Sequence, residues 1–93
     1  MRESELEKKF KSQVKKAGGV VFKFVSPGFD GMPDRLVLMP KRKAFFVEVK
    51  RPGEKPRALQ IARHRMLSSF GFEVFVVDSI EKIDEVINAI QTT

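Results

Sequence analysis

Three residues of this chain could do chemistry together: Asp34, Glu48 and Lys50. Asp34 follows Pro33 at the end of a glycine-punctuated stretch, SPGFDGMP, from Ser26 to Pro33. Glu48 and Lys50 form a Glu-x-Lys that closes the apolar run AFFVEVK, residues 44 to 50. Between them lie DRLVLM, residues 34 to 39, and the polar turn PKRK, so the two runs predict an antiparallel hairpin. A turn centred on Lys41 pairs Leu38 with Ala44, Leu36 with Phe46 and Asp34 with Glu48. Opposed residues hold their Cβ atoms about 4.5–5.5 Å apart, and the period of two puts Lys50 on the face of Glu48. Two carboxylates so close repel each other unless a cation lies between them. Mg²⁺ typically takes one or two protein carboxylates together with waters and a substrate phosphate, and the main-chain carbonyl of Val49 is a further candidate ligand. A lysine beside such an ion orients the attacking water or offsets charge on a phosphorane-like transition state. The spacing leaves one-metal and two-metal mechanisms open. Glu-x-Lys and Pro-Asp are each common alone; the hairpin register that joins them carries the reading.

The elements that must position these residues are legible around them. Leu6, Phe10, Val14 and Ala17 recur at helical spacing from Ser4 to Ala17, and Gly18-Gly19 ends that helix. VVFKFV, residues 20 to 25, predicts a strand. RPGEKP cannot continue a central strand, and Leu59, Ala62, Met66 and Phe70 then mark a helix over residues 57 to 70 that stops at Gly71. EVFVV, residues 73 to 77, predicts another strand. Asp78 or Ser79 can cap a final helix whose apolar face is Ile80, Ile83, Val86, Ile87 and Ile90. The order is αβββαβα, an α/β fold in which the strand at 44 to 50, the helix and the strand at 73 to 77 form a parallel βαβ unit.

Composition narrows the chemistry. With 93 residues there is room for one domain, residues 1–93. The chain has no cysteine and one histidine, His64, so thiolate metal sites, disulfides and cysteine nucleophiles are excluded and carboxylates and lysine must serve. No apolar run approaches the roughly 20 residues of a membrane span, and the charged segment MRESELEKKFK lacks the apolar stretch of a secretory signal, which implies a cytoplasmic protein. The net charge is +6 and unevenly placed. Lys41, Arg42, Lys43, Lys50, Arg51, Lys55, Arg57, Arg63 and Arg65 crowd the middle of the chain, whereas the segment from Asp78 onward is acidic. A polyanion such as DNA is the partner this distribution suits. Lys23, Lys41, Arg42, Lys43, Arg51, Lys55 and Arg57 are candidate phosphate contacts, which give affinity without sequence preference; solvated turn lysines are the alternative for the three in PKRK.

Pro33-Asp34 followed by Glu48-Val49-Lys50, in αβββαβ order, resembles the PD-(D/E)xK nuclease superfamily. More narrowly, SPGFDGMPDRLVL, FFVEVKRPGEKPRALQ and HRMLSSFGFEVFVVDS resemble the virus-type replication-repair nuclease domain, VRR-NUC, over roughly residues 3 to 79. The resemblance implies a restriction-endonuclease-like core, a mixed central sheet flanked by helices, with a C-terminal helix added. It also implies phosphodiester hydrolysis dependent on Mg²⁺ or Mn²⁺, and for small stand-alone phage and bacterial members a homodimer resolving Holliday junctions. Asp34, Glu48 and Lys50 match the motif directly. Gln60 matches a glutamine at the start of the following helix that holds the site or contacts the phosphate backbone.

The family also places a glutamate of the first helix near the metal. Glu3 and Glu7 lie on or beside the stripe of Leu6, Phe10 and Val14, whereas Glu5 points away. Both remain candidates, against the alternatives of a frayed N-terminal acid and a partner for Lys11. His64, one turn after Gln60, could approach DNA, although a single histidine is more often structural. Phe29 departs from the family's usual basic loop together with Asp30 and could stack or wedge at a junction, burial beneath its own loop being the commoner fate. Two other readings compete with a junction resolvase: a nuclease that nicks flaps or duplexes, and a DNA-binding module without catalysis.

Overall fold

The computed structural model describes residues 1–93. Its elements run α1 (Glu3–Lys16), β1 (Val20–Lys23), β2 (Arg35–Met39), β3 (Lys43–Val49), α2 (Ala58–Ser69), β4 (Glu73–Val77) and α3 (Ile80–Thr92). The αβββαβα order is the one the sequence predicts, with ends displaced by a residue or two. Four strands form one mixed sheet in the order β1-β2-β3-β4. β1–β2 and β2–β3 are antiparallel and β3–β4 is parallel. The hairpin has the expected register, with Leu36 opposite Phe46 and Leu38 opposite Ala44.

The strands' period of two divides the sheet into unlike faces. Val37, Met39, Phe45, Val47, Val49 and Val77 point to one side and are buried with Leu6, Phe10 and Val14 of α1 and Ile83, Val86 and Ile90 of α3 as one core. Alternate residues point to the other side, where α2 packs against β4 and presents Gln60 and Leu67 inward. That helix leaves the β1–β2 half uncovered: Val20, Phe22 and Leu38 are 52%, 47% and 42% exposed. Glu48 belongs to this second face, as the parity of β3 requires.

Local devices fix the ends of the elements. Ser79 caps α3, its hydroxyl accepting from the Lys82 N–H at 3.1 Å. Gly19 lets α1 turn into β1 against Met39: a Cβ there would lie 2.4 Å from the Met39 sulfur and 2.8 Å from the Leu38 carbonyl oxygen. The β2–β3 turn is less comfortable, because Lys41 and Arg42 both adopt positive φ, 68° and 63°, without being glycine. No helix is long and apolar enough to cross a membrane.

Candidate active site

β2 and β3 deliver the two acids from the end of the hairpin away from its turn. The regular ladder stops at Arg35 opposite Val47, and Asp34 lies one residue beyond it. The Asp34 carbonyl still accepts from the Phe24 N–H at 2.8 Å, which ties it to the strand beside it. Its carboxylate replaces the missing ladder partner, Oδ1 accepting from the Val49 N–H at 3.2 Å. That bond shows which edge of β3 faces Asp34: the Val49 main chain points toward it, while Lys50 donates in the opposite direction to the Val77 carbonyl at 2.9 Å. In a strand the N–H and C=O of one residue share a side, so the Val49 carbonyl opens toward the Asp34 carboxylate.

Glu48 is 4% exposed, and its Oε1 has no hydrogen-bond partner. Its other oxygen, Oε2, lies 3.9 Å from Lys50 Nζ. Burial, reinforced by the negative charge of Asp34, pushes the Glu48 carboxyl up to about 7, against the pull of Lys50. Burial also raises Asp34, opposed chiefly by Arg35. Two acids thus resist ionisation in a site where one oxygen is buried without a donor. A buried acceptor left this way costs about 1–3 kcal/mol, more when charged, and folded proteins satisfy such atoms with few exceptions.

A divalent cation fits this donor set. Asp34, Glu48 and the Val49 carbonyl supply hard oxygen ligands along one edge, and Mg²⁺ completes its shell with water and phosphate.

Likeness to known proteins agrees with the geometry. The chain is 51% identical over 79 residues, 85% of its length and 85% of the other, to "Putative nuclease p44" of Acyrthosiphon pisum secondary endosymbiont phage 1. A solved structure described as a VRR_NUC domain superposes with a TM-score of 0.86 at 36% identity, over 92% of this chain and 94% of that one. The chain belongs to the VRR-NUC family. No family model matches it.

Around this VRR-NUC centre the remaining predicted residues separate into those the fold brings in and those it does not. Glu3 and Glu7 are half-buried on the site's side of α1, and their charges reach Glu48 and Asp34 respectively. Glu5 is exposed and pairs with Arg2. Glu7 is held by the Arg35 guanidinium, not by Lys11. Gln60 is not an exposed helix residue. It is 7% exposed, and its Oε1 accepts from the Arg57 N–H at 2.8 Å, so it caps the start of α2.

The basic candidates lie at two distances. Lys23 is exposed opposite Arg35, and Arg51, Lys55 and Arg57 are exposed in the segment leaving Lys50, where they can flank a bound strand; Arg51 also pairs with Glu54 at 3.3 Å. Lys41, Arg42 and Lys43 occupy the far end of the hairpin, about 20 Å from Glu48 at 3.3 Å per residue. The Lys43 ammonium donates to the carbonyls of Ile90 at 3.2 Å and Thr93 at 2.9 Å, a cation at the C-terminus of α3.

Two residues gain importance only in three dimensions. Arg35 donates to the Asp34 carbonyl at 2.8 Å, lies 3.5 Å from Asp34 Oδ2 and grips Glu7, tying α1 to the site. A cation next to Asp34 is the one clue in the sequence, but its partner is 28 residues away. His64 lies on the inward stripe of α2 with Gln60 and Leu67; its Nε2 is buried without a partner, and burial, aided by the Lys50 charge, lowers its pKa.

Proposed function

We propose that this VRR-NUC chain is a Mg²⁺-dependent endonuclease that hydrolyses phosphodiester bonds in branched DNA, acting on Holliday junctions as a homodimer. The observation that carries the reading is the unpartnered, buried Oε1 of Glu48, a carboxyl that the charge of Asp34 reaches, with Lys50 alongside. The names of its relatives, a nuclease of a phage and a VRR_NUC domain, support the same chemistry.

Asp34, Glu48 and the Val49 carbonyl would hold the ion, and Mn²⁺ should substitute for Mg²⁺ on such oxygen ligands. When bound, the cation supplies an activated water and neutralises charge on the phosphate. The chain's own groups do the rest. Lys50, close to Glu48 and largely enclosed, keeps an ammonium at the reacting phosphate and offsets the charge that grows there. Arg35 fixes the Asp34 main chain and carboxylate together, so the acid is preorganised before DNA arrives. Gln60 acts indirectly, by fixing where α2 begins next to the strand that bears Glu48.

A homodimer has a surface to use. Val20, Phe22 and Leu38 form an exposed apolar group on the face that carries Glu48, and a two-fold pairing there places two equivalent sites under one axis, as paired incision of a four-way junction requires. The deciding experiment is cleavage of a labelled four-way junction and of the matching linear duplex, with Mg²⁺ or EDTA, by wild type and Lys50→Ala. Symmetric, metal-dependent junction cutting that Lys50→Ala abolishes is the expected result. Cutting of flaps or duplex instead would replace the junction, and binding without cutting would replace the nuclease.

A further inference from the structure

The loop before Asp34 is built more firmly than a glycine-rich connection needs to be. Arg63 of α2 donates through Nε to the Asp30 carbonyl at 2.7 Å and lays its guanidinium 3.9 Å from the centre of the Phe29 ring. Gly31, at φ +87°, sits so close to α2 that a Cβ would lie 2.8 Å from Leu59 Cγ and 3.1 Å from its carbonyl oxygen. The loop is therefore docked on the helix, and Phe29 is held at the surface, 40% exposed, not buried beneath its own loop.

Between this loop and the end of β1 lies an open cavity of about 230 Å³ whose walls include Phe24, Val25, Phe29, Met32 and Asp34. Its volume is below the roughly 300 Å³ at which sites for drug-sized ligands begin, and its lining, apolar and aromatic side chains together with Ser26, Asp30 and Asp34, suits one flat ring with polar edges. Asp34 is one of the residues that line it, so on the proposed function an occupant of the cavity is adjacent to the reacting phosphate. The Arg63 guanidinium against Phe29 offsets part of the negative charge that Asp30 and Asp34 bring to the lining, as a group carried on a phosphate backbone requires.

We infer that this cavity receives an unstacked nucleobase of the DNA strand, neighbouring the scissile phosphate and stacked against Phe29. The inference rests on the DNA reading above and sharpens its substrate class: DNA in which a base at the cut can leave the helical stack, as at junctions, flaps and single-stranded ends. Recognition is by the π-face, so it is indifferent to which base enters. Fully paired duplex is disfavoured because the base must first be unstacked.

The test is a binding cycle that needs no cleavage. An abasic nucleotide is stepped along the strands of a four-way junction and of a flap, and affinity is measured in Ca²⁺ for wild type, Phe29→Ala and Phe29→Leu. At one position per site the missing base should weaken wild-type binding about tenfold, the lower part of the range for one base–aromatic stack. Phe29→Ala should bind intact and abasic DNA alike there, and Phe29→Leu, which keeps the bulk without the π-face, should recover little of the difference. An abasic penalty that is absent, or that persists undiminished in Phe29→Ala, overturns the inference, and full recovery by Phe29→Leu overturns stacking as its cause. The nuclease reading stands or falls separately, on junction cutting in Mg²⁺.

Discussion

The two faces of the sheet are made by the same strands and yet obey opposite rules. Toward α1 and α3 the residues of β2, β3 and β4 that are buried in the core are all apolar, Val37, Val47 and Val77 being closed off entirely. Toward α2 the sheet exposes Phe22 of β1 and Leu38 of β2, buries Glu48 with an unpartnered oxygen and ends beside Asp34. The first face satisfies folding; the second departs from it at the residues on which the proposed function rests. Because parity sorts the two, a slip of one residue in β3 would exchange them, and the hairpin register is what keeps chemistry and core apart.

Substitutions on the two faces should therefore move activity and stability in opposite ways. Glu48→Gln is expected to lower metal-dependent cleavage by roughly 10³-fold or more, while the metal-free protein at pH 8 unfolds at a higher temperature, since a charge that resists burial is removed. Next in size, Phe10→Ala should cost about 3–5 kcal/mol in urea unfolding, a large part of the ~5–15 kcal/mol that holds a small domain together. At temperatures where it remains folded it should still bind Mn²⁺. A Glu48→Gln protein that cleaves normally, or a Phe10→Ala protein of wild-type stability, would dissolve the distinction between the faces.

The pH dependence follows with its sign. Folded, metal-free protein holds a proton on Glu48 up to about 7, whereas the unfolded chain releases it near 4.5. Between these values the folded state binds more protons, so this group's contribution is fully present below about 4.5 and is lost as pH rises to 7, a change of the order of 3 kcal/mol at ~1.4 kcal/mol per pKa unit. His64 works in the other direction, its folded pKa lying below its usual 6.5, so the Glu48 contribution is read as the difference between wild type and Glu48→Gln. Denaturation curves from pH 4 to 8 should fall more steeply for wild type, and Mg²⁺ should stabilise it more as pH rises. Equal slopes for the two proteins would remove the buried acid as the cause.

What the sequence disclosed and what it withheld divide along the same line. Register, parity and the grouping of Asp34, Glu48 and Lys50 were legible because a hairpin fixes them locally, through a short turn and a period of two. Arg35 was not, because its parity puts it on the face of Val37 and Met39, where the sequence offers a cation no partner, and only the packing of α1 supplies Glu7. Gln60 was expected to hold the site or contact the phosphate backbone, and its capping bond to the Arg57 N–H could not be read from the sequence. Lys43 looked like one more turn lysine; the carbonyls that claim it come from α3, at the other end of the chain. Phe29 was expected under its own loop, and it is Arg63, far along the chain on α2, that holds it outside.

A smaller effect is expected where the second face meets solvent. Phe22→Lys places a charge in the exposed apolar group but removes little buried surface, so the stability of the isolated chain should change by only about 0.5 kcal/mol. If the homodimer uses this face, sedimentation should show Phe22→Lys as a monomer at concentrations where wild type pairs, with junction cutting reduced to single nicks. A wild type that is monomeric at those concentrations would remove the dimer from the proposal.

The smallest effect belongs to the turn, and it asks how far DNA extends along the protein. Arg42 carries positive φ without being glycine, a conformation that costs roughly 1–2 kcal/mol for a residue with a Cβ. Arg42→Gly should relieve part of that strain, offset by the greater freedom glycine has in the unfolded chain, for a net gain of up to about 1 kcal/mol. The same change deletes a cation about 20 Å from Glu48 along β3. If DNA reaches only the residues around Lys50, the variant is more stable and its affinity falls with salt as steeply as wild type's. If the strand runs the length of the hairpin, the slope of log affinity against log salt becomes shallower by about one, as expected when one phosphate is no longer neutralised by the protein.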